Sequence, residues 1–171
     1  KKGGYKTKAI GKWHLGAHDL LIPENRGFDE FYGFLIGGHR YFPDDLTLND
    51  LTEARKQMDG YITKIYDNGN RINTSRYLTD ELSINAVKFI EDNSNNPFFL
   101  YLSYNAPHTP LQAKEEDLLR NMHIKGEKRR IYASMVTSMD DGIGLVLDKL
   151  EQMNIIDNTI VIFFSFYMHI S

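Results

Sequence analysis

The chain has 171 residues, 42% hydrophobic and 25% charged, with a formal net charge of -3, a make-up typical of a globular protein long enough to bury a sizeable core. It has no cysteine, which excludes disulfides and thiolate metal sites. The cations Lys128-Arg129-Arg130 stand beside Glu127 and read as a solvated helix start, so nucleic acid is not an expected partner; nor is any apolar run long enough for a membrane span.

The opening Lys1-Lys2-Gly3-Gly4 reads as the basic last turn and glycine cap of a helix whose body is missing, and with no initiating Met it points to a fragment. Tyr5 to Ile10 predicts a short strand leading into Ala9-Ile10-Gly11-Lys12-Trp13-His14-Leu15-Gly16. Residues two apart on a strand face one side, so Lys12 and His14 are expected to share a pocket. A cation beside an imidazole suits a tetrahedral oxyanion such as sulfate or phosphate. The same spacing fits a Lys reaching solvent and a His satisfied within a loop. His14 and His18 are four apart, but Gly16 between them argues against the helix of a two-His zinc site.

From Gly16 to Phe42 the chain is rich in Gly and aromatics without a clear period, which predicts an ordered loop packed by its own rings. His39 in that loop is a candidate for the pocket lining. Pro43 to Arg76 is polar and reads as a surface excursion, with a turn or hairpin at Asp67-Asn68-Gly69-Asn70 and a sequon at Asn73-Thr74-Ser75 that arises easily by chance. Thr79-Asp80-Glu81 predicts a helix start with a capping hydroxyl, and Leu82, Ala86, Phe89 and Ile90 follow at helical spacing. Phe98 to Tyr104 predicts a parallel strand covered on both faces.

His108 stands between Pro107 and Pro110, which restrict the backbone around it. A ring so placed can bind an oxyanion or protonate a leaving oxygen; a proline-bracketed turn with an incidental His is the plainer alternative. Ile131, Met135, Met139, Ile143, Val146, Leu147 and Leu150 trace one face of a long helix from near Glu127, with the two methionines read as core. Asp140-Asp141 reads as a solvated or partly buried pair, and His123 and His169 as incidental. Asp157-Asn158-Thr159 predicts a turn into a buried strand at Ile160 to Phe164. Helices leading into strands predict an α/β fold, whose ligand sites gather beyond the carboxyl ends of the strands. His14, His108 and the residues after Ser165 fall at such ends.

Residues Gly4 to Gly16 resemble the second signature of the sulfatase family, within the alkaline-phosphatase-like superfamily. Asn25-Arg26-Gly27-Phe28-Asp29, Ala106-Pro107-His108-Thr109-Pro110 and Met139-Asp140-Asp141-Gly142 continue the resemblance in order, as far as Ser165. It implies a mixed or parallel sheet flanked by helices, with residues 1–171 forming part of a catalytic domain. It also implies hydrolysis of sulfate esters by a formylglycine hydrate beside a calcium ion, with a sulfated small molecule or glycan as partner. Lys12 would neutralise charge near nucleophile and metal, and His14 would orient or deprotonate the hydrate. His108 would contact the sulfate and help the ester oxygen leave, and His39 joins Lys12 and His108 as a candidate substrate contact. Members are often exported or lysosomal, which leaves the compartment here unread.

The chain departs from that pattern in two places. Formylglycine arises from Cys or Ser in Cys/Ser-x-Pro-x-Arg, whereas the residues two before its prolines are Leu21, Tyr41, Asn95, Asn105 and His108. The strand ending at Ser165 continues into Phe166-Tyr167-Met168 instead of the metal-binding Asp-Asn-Gly. The expected N-terminal nucleophile segment, early calcium ligands and later active-site Lys are absent too, so the chain itself is expected to show little or no turnover. A non-catalytic binding module for sulfated glycans or anions, and a phosphonate or phosphodiester hydrolase of the same superfamily, remain as alternatives.

Overall fold

The computed structural model describes residues 3–165. The first expected strand, β1 (Lys6–Lys12), lies between two parallel partners, β2 (Glu30–Phe34) and β5 (Phe98–Ser103), so that Ile10 stands beside Tyr32 on one side and Leu102 on the other. Beyond β2, the chain adds two antiparallel strands, β3 (Ile65–Asp67) and β4 (Asn70–Ile72), giving the order β4-β3-β2-β1-β5. Asn68 and Gly69 make the expected hairpin turn, both with positive φ.

Three helices follow: α1 (Leu78–Asn93), α2 (Glu115–Arg120) and α3 (Glu127–Gln152). Leu82 and Ala86 of α1 and Met135 of α3 form one core with Ile10, Tyr32 and Phe34 of the sheet. Full burial of a side chain such as Leu82 stabilises the fold by roughly 1.5–3 kcal/mol. Gly142 lets α3 come close to α1, because a Cβ there would fall 2.2 Å from Ser83 Oγ. Ala9, Phe31 and Leu35 form a second core, packed by Trp13, Phe28 and Tyr101 instead of a helix. The Phe28 ring meets Trp13 edge-on and Phe99 in a stack, each at 6.0 Å. Asp29 fixes that loop to β1 by accepting from the Thr7 N–H at 3.0 Å and hydroxyl at 2.9 Å.

Charge is gathered where the three helices meet. Asp117, 1% exposed, accepts from Ser138 Oγ and Arg120 Nη1, each at 3.0 Å. Lys114 Nζ lies 2.9 Å from Asp80, 2.9 Å from Glu116 and 3.5 Å from Asp117. Arg120 also pairs with Asp141, while Asp140 is exposed.

Several elements differ from the sequence reading. The stretch from Gly16 to Phe42 is not loop throughout, because its middle forms β2, a nearly continuous apolar run buried on both faces and without a two-residue period. Helix α1 starts at Leu78, with Tyr77 at the cap position two residues before the expected Thr79, and no side chain caps it, so Thr79 lies inside the first turn. Strand β5 is at the sheet edge, and its Phe99 is 52% exposed instead of covered. The expected strand at Ile160 to Phe164 does not form: these residues pair with no strand, and their side chains are exposed. Lys1-Lys2, His169 and the other residues after Ser165 lie outside the described residues.

Candidate active site

The site grows from the carboxyl end of β1. Gly11 has φ +103, and a Cβ on it would lie 1.9 Å from the Ser103 carbonyl oxygen, so only glycine permits β1 and β5 to close at this level. Lys12 is partly buried just after it. Among the described residues its ammonium has no hydrogen bond and no ion pair, and burial alone pulls its pKa below the ordinary lysine value.

The strand stops at Lys12, so alternation does not place His14 beside it. Instead His14 takes a left-handed conformation, φ +55, with its N–H donating to the Leu35 carbonyl at 3.2 Å. Its exposed ring lies against Gly37, where a Cβ would be 2.6 Å from Nε2. A Cβ on Gly38 would likewise meet the Tyr61 ring at 2.7 Å. The glycine pair therefore seats two rings against consecutive residues of one backbone stretch. The Tyr61 ring in turn lies 6.4 Å from that of His108, and Tyr61 and His14 line one cleft.

His108 is exposed, and two cis peptide bonds, Ala106–Pro107 and Thr109–Pro110, flank it. Its N–H donates to the Asn105 carbonyl at 2.8 Å, and Tyr41 donates its hydroxyl hydrogen to the His108 carbonyl at 2.8 Å. Nδ1 lies 2.7 Å from the Thr109 carbonyl oxygen. A carbonyl only accepts, so Nδ1 carries a proton and Nε2 is the nitrogen left for an outside partner.

His39 is not on the pocket lining. It is fully buried, tilted against the Phe34 ring with centroids 4.8 Å apart, with Nδ1 2.9 Å from the Arg40 carbonyl and Nε2 2.8 Å from the Thr63 carbonyl. Burial holds its pKa below the usual histidine value, against the raising effect of the two carbonyl contacts. Asn105 Nδ2 donates to the His39 carbonyl at 2.8 Å, so His39 supports the turn that carries His108 and has no exposed atom for a substrate. His18 accepts from the Leu20 N–H at 3.2 Å in its own turn, and His123 is exposed.

The cleft in front of His14 has a volume of about 310 Å³ and continues along Gly37, Lys56, Gln57, Met58 and Tyr61. The sequence reading missed Tyr61 and Lys56. Both lie around a short 3-10 segment, Gln57–Ile62, which carries no periodic signal; its Tyr among Gly and polar residues was the available hint. Among the described residues no group of three or more His, Asp or Glu side chains is placed to hold a metal ion, so these residues do not fit the calcium site that the resemblance implies. An unpaired ammonium, two exposed imidazoles and a phenol ring can still neutralise an oxyanion and move a proton.

Parallel strands with helices packed on them define an α/β protein, with Lys12, His14 and His108 beyond the carboxyl ends of its strands. The Sulfatase family model matches residues 1–165, and the chain belongs to the sulfatase family. It is 30% identical over 174 residues to an arylsulfatase of Hemicentrotus pulcherrimus, covering 96% of this chain and 30% of that protein. It is also 30% identical over 171 residues to the N-acetylgalactosamine-6-sulfatase of Homo sapiens, with the same coverage of each. The chain thus spans about 30% of the length of these relatives. Among solved structures, that of Ps i-CgsB in complex with k-i-k-neocarrahexaose is similar with TM-score 0.82 and 45% identity, over 90% of this chain and 35% of that one. A Bacteroides fragilis structure described as the putative sulfatase yidJ, 20% identical with TM-score 0.66 over 92% of this chain and 40% of that one, shares the fold.

Proposed function

We propose that this chain forms the oxyanion-binding part of a sulfuric ester hydrolase that acts on sulfated glycans. The observation that carries the reading is Lys12: a partly buried ammonium with no partner among the described residues, two residues from the exposed His14. Leaving such a cation unpaired costs solvation, and an arriving sulfate restores it. The oligosaccharide bound to Ps i-CgsB supports a glycan as the rest of the substrate.

Each residue then has a task on this chain. Lys12 offsets the sulfate's negative charge and favours the more anionic transition state. His14, held against Gly37, supplies a donor or acceptor at the mouth of the cleft. His108, with Nδ1–H tied to Thr109, leaves Nε2 for the substrate, and in the doubly protonated ring Nε2–H hands its proton to the departing ester oxygen. In a complete parent the resemblance assigns attack to a formylglycine hydrate and further charge neutralisation to calcium. The chain has no Cys/Ser-x-Pro-x-Arg, and its described residues hold no cluster of three or more metal-ligating side chains, so neither role falls to them.

The test is calorimetric titration of the 171-residue chain with a sulfated disaccharide and its desulfated form, beside an aryl sulfate turnover assay. The expected result is saturable binding of the sulfated sugar alone, about tenfold weaker in Lys12→Ala, and no turnover. Equal binding of both sugars, or binding indifferent to Lys12→Ala, overturns the oxyanion reading. Turnover by the chain that is lost in Lys12→Ala overturns its dependence on a nucleophile supplied elsewhere.

A further inference from the structure

The cleft is larger than one oxyanion needs, and its far wall has its own chemistry. At about 310 Å³ it stands at the small end of ligand sites, roughly 300–1,000 Å³, which is room for a sugar ring beyond the sulfate. His14 lines one part of it, and Lys56 and Gln57 line another, with Met58 and Tyr61 supplying apolar surface. Lys56 is exposed, and among the described residues its ammonium makes no ion pair. The nearby Asp59 carboxylate is occupied by the backbone N–H groups of Arg55 at 2.8 Å and Lys56 at 2.9 Å.

We infer that Lys56 is a specificity-determining residue that recognises a second, non-scissile anionic group on the substrate, a sulfate or carboxylate, so that the preferred substrate is a glycan with more than one negative charge. This rests on the oxyanion reading of Lys12, His14 and His108. Tyr61 offers apolar surface to a sugar and Gln57 an amide for hydroxyls, in the same lining as His14 and Lys56. Asp59 attracts Lys56 but makes no ion pair with it, and two backbone N–H groups hold one of its carboxylate oxygens, so the Lys56 ammonium stays open to an arriving anion.

The experiment titrates the full chain and two variants with a monosulfated and a disulfated disaccharide of the same backbone. The wild-type chain is expected to bind the disulfated sugar about fivefold more tightly, as one solvent-accessible ion pair allows. Lys56→Ala should erase that preference and leave monosulfated binding unchanged; Lys56→Arg should keep it. The inference is overturned if Lys56→Ala weakens both sugars equally, or neither. Lys12→Ala separates the two readings: if it weakens both sugars while Lys56→Ala changes nothing, the oxyanion site stands and the second subsite falls. Binding of neither sugar by the wild-type chain overturns both.

Discussion

Lys12 and Lys114 are both partly buried, yet their surroundings are opposite. Lys114 lies within 4 Å of three carboxylates, and hydrogen bonds and ion pairs with Asp80 and Glu116 raise its pKa against the lowering effect of burial. Lys12 has no such partner among the described residues, and burial lowers its pKa. Where helices have only to stay together, the chain balances its charges internally. At the carboxyl end of β1 it leaves a partly buried cation without a partner among the described residues, and the balance must come from outside.

The sharpest way to break that contrast is on the balanced side. Asp117→Ala leaves Lys114 and Arg120 without their buried partner, and chemical denaturation should show a loss of about 3–5 kcal/mol; a loss below about 1 kcal/mol would make the helix junction no more charge-dependent than the cleft. Lys12→Met should instead leave stability unchanged or slightly higher while weakening sulfate binding about tenfold. Its pH dependence has a definite sign. Because the folded pKa lies below the ordinary value near 10.5, the folded state sheds its proton first, so stability rises with pH between the two values. Lys12→Met should flatten that alkaline limb in denaturation curves.

Much of the helical framework was legible before the structure, and the reason is periodicity. Met135 and Ile131 at helical spacing announced α3, and the Asn68-Gly69 pair announced the hairpin. β2 was hidden because Phe31, Tyr32 and Phe34 are buried on both faces, which erases alternation, and Gly33 looks like a loop residue. The apolar run from Ile160 misled for the converse reason: a run says that a segment can be buried, whereas a strand needs a neighbour. Lys12, His14 and His108 could be picked as chemical candidates from residue type and motif. That His14 is placed by a left-handed turn against Gly37, and that the Tyr61 ring lies near that of His108, depends on packing among distant segments.

A smaller effect sharpens the cleft side. Gly37→Ala adds a methyl group 2.6 Å from the His14 ring nitrogen, so the ring must turn off its rotamer at about 1 kcal/mol. Sulfate binding should weaken about fivefold, with the His14 ring resonances displaced in NMR spectra and the melting midpoint little changed. An unchanged His14 signal would separate the glycine from the site. Asp141→Asn should have the smallest effect, below about 1 kcal/mol, because its pair with Arg120 is solvent-accessible. The Arg120 hydrogen bond holds the Asp141 pKa below the usual carboxylate value, so its contribution is present above about pH 4 and lost as pH falls through the lowered value. Acid titration of the variant should lack that part of the transition.

Ile160, Val161, Ile162 and Phe163 are 90%, 52%, 75% and 70% exposed, in a stretch without charge or proline. Extended apolar segments of this kind zip together between molecules. Light scattering should therefore climb with concentration, and Ile162→Lys should suppress it while leaving the cleft beside His14 and Tyr61 untouched.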